Sequence, residues 1–219
     1  MKNTIKTTFL SLMAGSFILA ACSKEQAVTS ESNDVTTTTN GASYAIDTTA
    51  SKIEWKGYKV VKSDQTSHFG TIMFESGEVT VHDGMLESGS FVADMTSMTA
   101  LDLKDDAEQQ NKLNGHLRSE DFFETEKFPN ATFEITKVSK QTEGDYNTLL
   151  DGNLTLKGIT KPVQFRANVS VTDNEVTIAT EPKDISREQF GVKFQMPLAN
   201  GVIKDEINVQ IYIKAQEKK

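Results

Sequence analysis

The chain reads as all-β, an antiparallel sheet forming a sandwich or a closed barrel of about eight strands, with one surface helix near 101–114. Three observations point there. From Tyr44 onward, apolar and polar residues alternate in run after run, the period-two pattern of strands with one dry face. The runs are joined by short turn signals such as Asp83-Gly84 and Asp173-Asn174. Only Thr99–Gly115 breaks the alternation, where charges surround a narrow apolar stripe of Leu103, Ala107 and Leu113. Closure removes edge strands, and a barrel of about eight strands holds either its own side chains or one small apolar ligand.

The N-terminus reads as a targeting segment. Lys2 and Lys6 make a positive start, and Phe9–Ala21 is an apolar stretch of secretory length, short for a membrane span. It runs into Leu19-Ala20-Ala21-Cys22, which matches a bacterial lipobox and uses the only cysteine in the chain. Residues 1–21 are thus expected to be a lipoprotein signal peptide and Cys22 the acylated N-terminus. This expectation places the protein in a bacterial cell envelope, lipid-anchored, periplasmic or on an outer membrane or cell surface. Stable anchoring takes more than one acyl chain. The stretch from Cys22 to Ser43 is polar, rich in Thr and Ser and without aromatics, so it reads as a flexible tether. Residues 44–219 form one domain by size.

Within that domain, Tyr44-Ala45-Ile46-Asp47 and Ile53–Tyr58 open the strand series. Gly70–Phe74 and Glu78–Val81 read as two short strands joined through Ser76-Gly77, and Met85–Met95 leaves the Asp83-Gly84 turn. Thr99 with Asp102 resembles a capping pair and Gly115 a helix stop. Ser119 is placed to cap a further helical turn, which Pro129 ends. Phe122-Phe123 needs cover, since burying each ring contributes roughly 2–3 kcal/mol. Thr132–Ser139 follows, then one face of Tyr146, Thr148, Leu150, Gly152, Leu154 and Leu156. Val163–Val171 and Ile207–Ala215 alternate cleanly.

Composition excludes several classes. There are 23 Lys and Arg against 31 Asp and Glu, a formal charge of −8, and loss of the leader removes two lysines more. Such a balance argues against nucleic-acid binding. A lone cysteine makes no internal disulfide. The three histidines, His68, His82 and His116, show no metal-ligand spacing, and no cofactor is indicated. Gly-x-Ser-x-Gly, Gly-x-Gly-x-x-Gly and P-loop patterns are absent, so no enzyme activity is expected.

Ordered motifs resemble the YceI-like, polyisoprenoid-binding family over nearly all of Tyr44–Gln216. They include Tyr44-Ala45-Ile46-Asp47, Lys52-Ile53-Glu54-Trp55, His68-Phe69-Gly70, Gly89-Ser90-Phe91 and Asp94-Met95-Thr96-Ser97-Met98. His116–Phe123, Phe128-Pro129-Asn130-Ala131-Thr132-Phe133, Gly152–Val163 and Ile185–Val192 continue the series. This chain differs in having Gln189 before Phe190-Gly191 and a long segment at 99–114. The resemblance implies a lipocalin-like antiparallel barrel that binds or carries a long-chain isoprenoid or other amphiphilic lipid in an internal tunnel. The other reading is a structural or partner-binding surface lipoprotein with a solidly packed barrel.

Under the first reading the ligand wall draws on Phe69, Phe91, Met95, Phe122, Phe123, Phe133, Leu154, Phe165, Phe190, Phe194 and Met196, with Phe122-Phe123 as a plug. The same residues would otherwise be plain core. His68 and His116 are candidates for a ligand headgroup or for structural hydrogen bonds. Arg187 is a candidate for a phosphate or polar headgroup, or for an ion pair with Asp94 or Asp121. Lys157 and Lys161 are expected in solvent.

Overall fold

The computed structural model describes residues 32–35, 41–197 and 201–218. The expected leader and Cys22 lie outside the described residues. Among the described residues, ten strands hydrogen-bond into one antiparallel sheet. They are β1 (Ala42–Ile46), β2 (Lys52–Val61), β3 (Asp64–His82), β4 (Met85–Ala100), β5 (Asn130–Lys140), β6 (Thr148–Leu156), β7 (Ile159–Val171), β8 (Glu175–Thr180), β9 (Lys183–Ser186) and β10 (Gly201–Glu217). A single helix, α1 (Ala107–Arg118), separates β4 from β5, and a 3₁₀ turn at Glu188–Phe190 separates β9 from β10.

The sheet closes because β10 pairs with β2 on one edge and with β8 on the other. Along β10, β1 and β2 follow one another on one side, and β8 and β9 on the other. Ten strands therefore occupy eight positions round the ring, the barrel that the alternation allowed. Each strand turns one row of apolar side chains inward, as a period of two requires. At the lower end Tyr44, Val79, Val81, Leu86 and Val176 are buried and close the barrel.

Three elements differ from expectation. The two short strands expected around Ser76-Gly77 are one strand, β3, of 19 residues, with a register shift between Phe74 and Ser76. A bulge absorbs the extra residue without ending the ladder. The helix starts at Ala107, because Asp106 and not Thr99 caps it, accepting from the Gln109 amide at 3.1 Å. It runs through Gly115 to Arg118. Ser119 ends this helix and a further turn does follow it, but its hydroxyl caps nothing there: it donates back to the His116 carbonyl at 2.8 Å, and the Ser119 carbonyl takes the Phe122 and Glu124 amides.

Part of the stretch read as tether lies on the barrel. The Asn33 amide donates to Asn153 Oδ1 at 2.9 Å, and Asn153 Nδ2 returns a bond to the Asn33 carbonyl at 2.8 Å. Two glycines let the walls pack. A Cβ on Gly70 would fall 1.8 Å from the Thr99 carbonyl oxygen, and one on Gly152 would fall 2.3 Å from the Phe133 ring. Gly152→Ala should therefore lose roughly 1–3 kcal/mol of stability by overpacking. Gly115→Ala, inside α1 with open space around it, should gain up to about 1 kcal/mol. Urea denaturation of the two variants checks both signs.

Candidate functional site

The inward rows of the strands do not meet. They enclose a cavity of about 340 Å³, within the range of about 300–1,000 Å³ usual for small-molecule sites. Its depth is lined by Phe74, Phe91, Leu150, Phe165, Ile178 and Ile213, and β10 contributes Ile207, Val209 and Ile211 from its one apolar face. Rings set the wall: Phe133 meets Phe165 edge-on, centroids 5.5 Å apart, and Phe74 lies 6.3 Å from Phe91. Trp55 is also in the wall, and its buried indole N–H has no hydrogen-bond partner. The buried residues at the lower end lie outside this lining, so the cavity is blind below.

The helix and the loop after it make the roof. Strand β4 pairs with β5 only up to Asp94, so its last residues would present bare main-chain groups. Side chains of α1 at a four-residue spacing, hence on one helix face, take those groups up. Gln110 donates to the Ala100 carbonyl at 2.7 Å, Asn114 accepts from the Ala100 amide at 2.9 Å, and Arg118 donates to the Met98 carbonyl at 2.6 Å. With that face committed to β4, Leu113, His116 and Leu117 line the cavity.

The loop behind α1 folds back under its own bonds, Phe123 N–H to the Leu117 carbonyl and Thr125 N–H to that of Arg118. Phe122 and Phe123 are buried and line the cavity where a plug would sit. His116 meets Phe122 and Phe194 edge-on at 4.9 and 4.8 Å. Lys157, expected in solvent, is largely buried: its ammonium donates to the Phe122 carbonyl at 2.9 Å and pairs with Glu124 at 3.7 Å. It pins the roof loop to the turn between β6 and β7.

Most of the expected wall residues line this cavity: Phe91, Met95, Phe122, Phe123, Phe133, Leu154, Phe165, Phe194 and Met196. Two do not. Phe69 points outward and is 47% exposed, because the alternation of β3 puts His68, Gly70 and Ile72 inside. Phe190 is buried in the 3₁₀ turn, apart from the cavity lining. Periodicity groups the β10 residues and the helix stripe includes Leu113, but Trp55, Ile72, Phe74 and Leu117 also line the cavity and are not in the expected wall. Trp55 and Phe74 sit in the same strand alternation, which was signal enough.

The polar candidates sit at the upper end of the cavity. His68 and His116 both line it. The His68 Nδ1 lies 2.8 Å from Asp102 Oδ2, and Asp102 Oδ1 accepts from the Phe69 amide at 3.0 Å. Burial raises the Asp102 pKa, but the Phe69 N–H and the His68 ring outweigh it and hold the carboxyl below its ordinary value. Arg187 is buried to 1% exposure and pairs with neither Asp94 nor Asp121. Its Nε donates to the Lys204 carbonyl at 3.1 Å, and its terminal nitrogens donate to the carbonyls of Ile203 and Val192. Burial pulls its pKa down, and Glu188 and Asp205 offset part of that. Gln195 completes the clamp, exchanging two bonds with the main chain of Ile203 at 3.0 and 3.1 Å. Arg187 lines the cavity, but its mapped bonds hold the start of β10.

A closed antiparallel barrel with a blind, roofed, apolar cavity has room for an apolar molecule. The chain belongs to the YceI-like domain family, whose model matches residues 44–215. A UPF0312 protein of Shewanella denitrificans is 30% identical over 185 residues, covering 80% of this chain and 89% of that protein. A UPF0312 protein of Yersinia enterocolitica is 47% identical over 60 residues, which cover 27% of this chain and 30% of that protein. Among solved structures, Burkholderia cenocepacia BcnA shares the fold with a TM-score of 0.58 at 20% identity, over 77% of this chain and 98% of that one. A polyisoprenoid binding domain from Saccharophagus degradans, implicated in plant cell wall breakdown, gives 0.54 at 16% identity, over 81% and 99% of the two chains.

Asn114→Ala should leave the Ala100 N–H unpaired under the roof and cost about 1–3 kcal/mol, read as a lower urea midpoint. Asp102 supplies a pH signature. Its folded pKa lies below the ordinary 3.8, so its contribution is complete above 3.8 and lost as pH falls through the folded value. The gap in melting temperature between the protein and Asp102→Asn should be open at neutral pH and narrow below pH 3.8, as acid melting curves would record.

Proposed function

We propose that this protein binds or carries a long-chain isoprenoid or similar amphiphile, with the apolar chain in the cavity and the polar end toward the roof. The observation that carries this is the cavity itself, about 340 Å³ of space walled by aromatic and aliphatic side chains where a solidly packed barrel would have none. That void also weighs against the alternative of a structural or partner-binding lipoprotein. The family supports the reading, since a relative of the same fold is a polyisoprenoid binding domain. The lipobox at Leu19–Cys22 supports acylation and a place in the cell envelope, where such ligands reside. No chemical step is part of this proposal: the His68–Asp102 pair serves to hold the strand end at the cavity mouth.

The driving force is burial of the chain, about 0.8 kcal/mol per CH₂, or about fourfold in affinity for each group added. Headgroup preference should be weak beside that. Calorimetric titration with prenols of increasing length, together with native mass spectrometry of protein from its own membrane, tests the reading. Affinity should climb with each unit until the cavity is full and then level off. Ala93→Phe, which pushes a ring into the cavity from its lining, should weaken binding at least tenfold. Absence of both chain-length dependence and a co-purifying lipid would remove the proposal.

A further inference from the structure

The upper end of the barrel has an asymmetric rim. Strand β4 reaches only to Ala100, opposite Gly70 of β3, and β9 reaches only to Glu206 of β10. Three strand ends therefore continue past the ring with no further strand beside them: Gly57–Val61 of β2, Asp64–Phe69 of β3 and Gly201–Ile203 of β10. The extension borders the cavity mouth, with Tyr58, Lys59, His68, Ile203 and Lys204 in its lining. The remainder carries apolar side chains out of the core. Val202 is 54% exposed and pairs with half-buried Val60. Phe69 is 47% and Leu101 40% exposed, and the Leu101 amide bonds the Phe69 carbonyl.

Charge on the extension runs against that of the chain. Lys56, Lys59, Lys62 and Lys204 lie on or beside it, against Asp64 on the extension and Asp102 and Asp205 at its base, where they accept from the Phe69 and Glu188 amides, in a protein of net charge −8. The ammonium groups of Lys56 and Lys204 sit 5.3 and 5.5 Å from the ring centre of Tyr58, which joins the basic and apolar parts into one surface. Glu120, Asp121, Glu124 and Glu126 lie in the roof loop, pinned by Lys157 over the turn between β6 and β7. In the ring order that turn lies opposite β2. One end of the barrel is thus basic and apolar on one side and acidic on the other.

We infer that the three-stranded extension is a docking face for an anionic lipid bilayer, set flap-down so that the cavity mouth opens against the membrane. Apolar side chains beside lysines suit the boundary between headgroups and acyl chains. An anionic surface attracts the lysine side and repels the acidic roof loop, which selects that tilt. A lipid could then pass from bilayer to cavity without crossing water. The inference rests on the cavity taking its ligand from a bilayer.

The test uses the mature chain from residue 22 carrying Cys22→Ser, so that neither leader nor acyl anchor contributes, and sedimentation with phosphatidylcholine vesicles made with and without phosphatidylglycerol. Binding should need phosphatidylglycerol and weaken as salt rises. Val60→Asp with Val202→Asp, or Lys56→Gln with Lys62→Gln, should lower the bound fraction roughly tenfold or more. Both pairs should still bind a short soluble prenol. Met85→Asp, which replaces an exposed apolar residue (63%) at the opposite end of the barrel, should change nothing. Vesicle binding that survives both paired variants, or that Met85→Asp reduces equally, would overturn the docking face. So would a chain that fills its cavity yet ignores vesicles, or one whose extension pairs two copies instead. If prenol binding also fails, the cavity reading falls and the docking face with it.

Discussion

Above Asp94, β4 has no strand on its β5 side, yet its main chain lies under protein and cannot turn to water. A buried amide or carbonyl left alone costs about 1–3 kcal/mol, so the fold must bring polar partners to that edge. Gln110, Asn114 and Arg118 do this from one face of α1. The consequence is geometric. With its polar face held on β4, the helix turns Leu113, His116 and Leu117 to the barrel mouth, and the loop behind it brings in Phe122 and Phe123. The start of β10 meets the same difficulty across the ring, where Arg187 and Gln195 satisfy the carbonyls and the amide that no strand reaches. Side chains substitute for missing strands at two places, and between them the cavity has a mouth where a fully paired barrel would have a plain rim.

The lower half of the barrel obeys the opposite rule. There the ladder is complete, Tyr44 bonds the carbonyls of Thr172 and Asp173 through its hydroxyl, and small and branched residues fill the space. The upper half is lined by rings, and the Phe133 ring lies where a side chain at Gly152 would stand. Packing at the bottom and space at the top come from the same alternating strands.

Much of this was legible in the residues. Strict alternation in β7 and β10 fixed the inward faces, and the ordered motifs pointed to a closed barrel with an interior ligand. What the alternation could not show was how the ends are finished. Thr99 and Asp102 looked like a helix cap because spacing alone cannot distinguish a cap from a cross-strand contact, and Asp102 serves His68 instead. Arg187 had the chemistry of an anion site, but its donors go to carbonyls that lie next to it only once β9 and β10 are paired. The same limit applies to Lys157, whose partners come from a loop more than thirty positions away. The spacing of Gln110, Asn114 and Arg118 was visible as a polar helix face, though nothing in it named β4 as the object. Phe69 was misplaced by treating an aromatic residue in a family motif as interior, when the phase of β3 sets it outside.

Trp55 offers the most direct measurement of whether the cavity is a binding site. It is the only tryptophan in the chain, it is buried, and it stands in the cavity wall, so its emission reports on that space and nothing else. Titration with a polyprenol should shift or quench the Trp55 emission in a saturable, one-to-one manner, and Ala93→Phe should raise the midpoint at least tenfold. Emission that stays constant while the polyprenol is bound, or that changes without saturation, would contradict a ligand held inside the barrel.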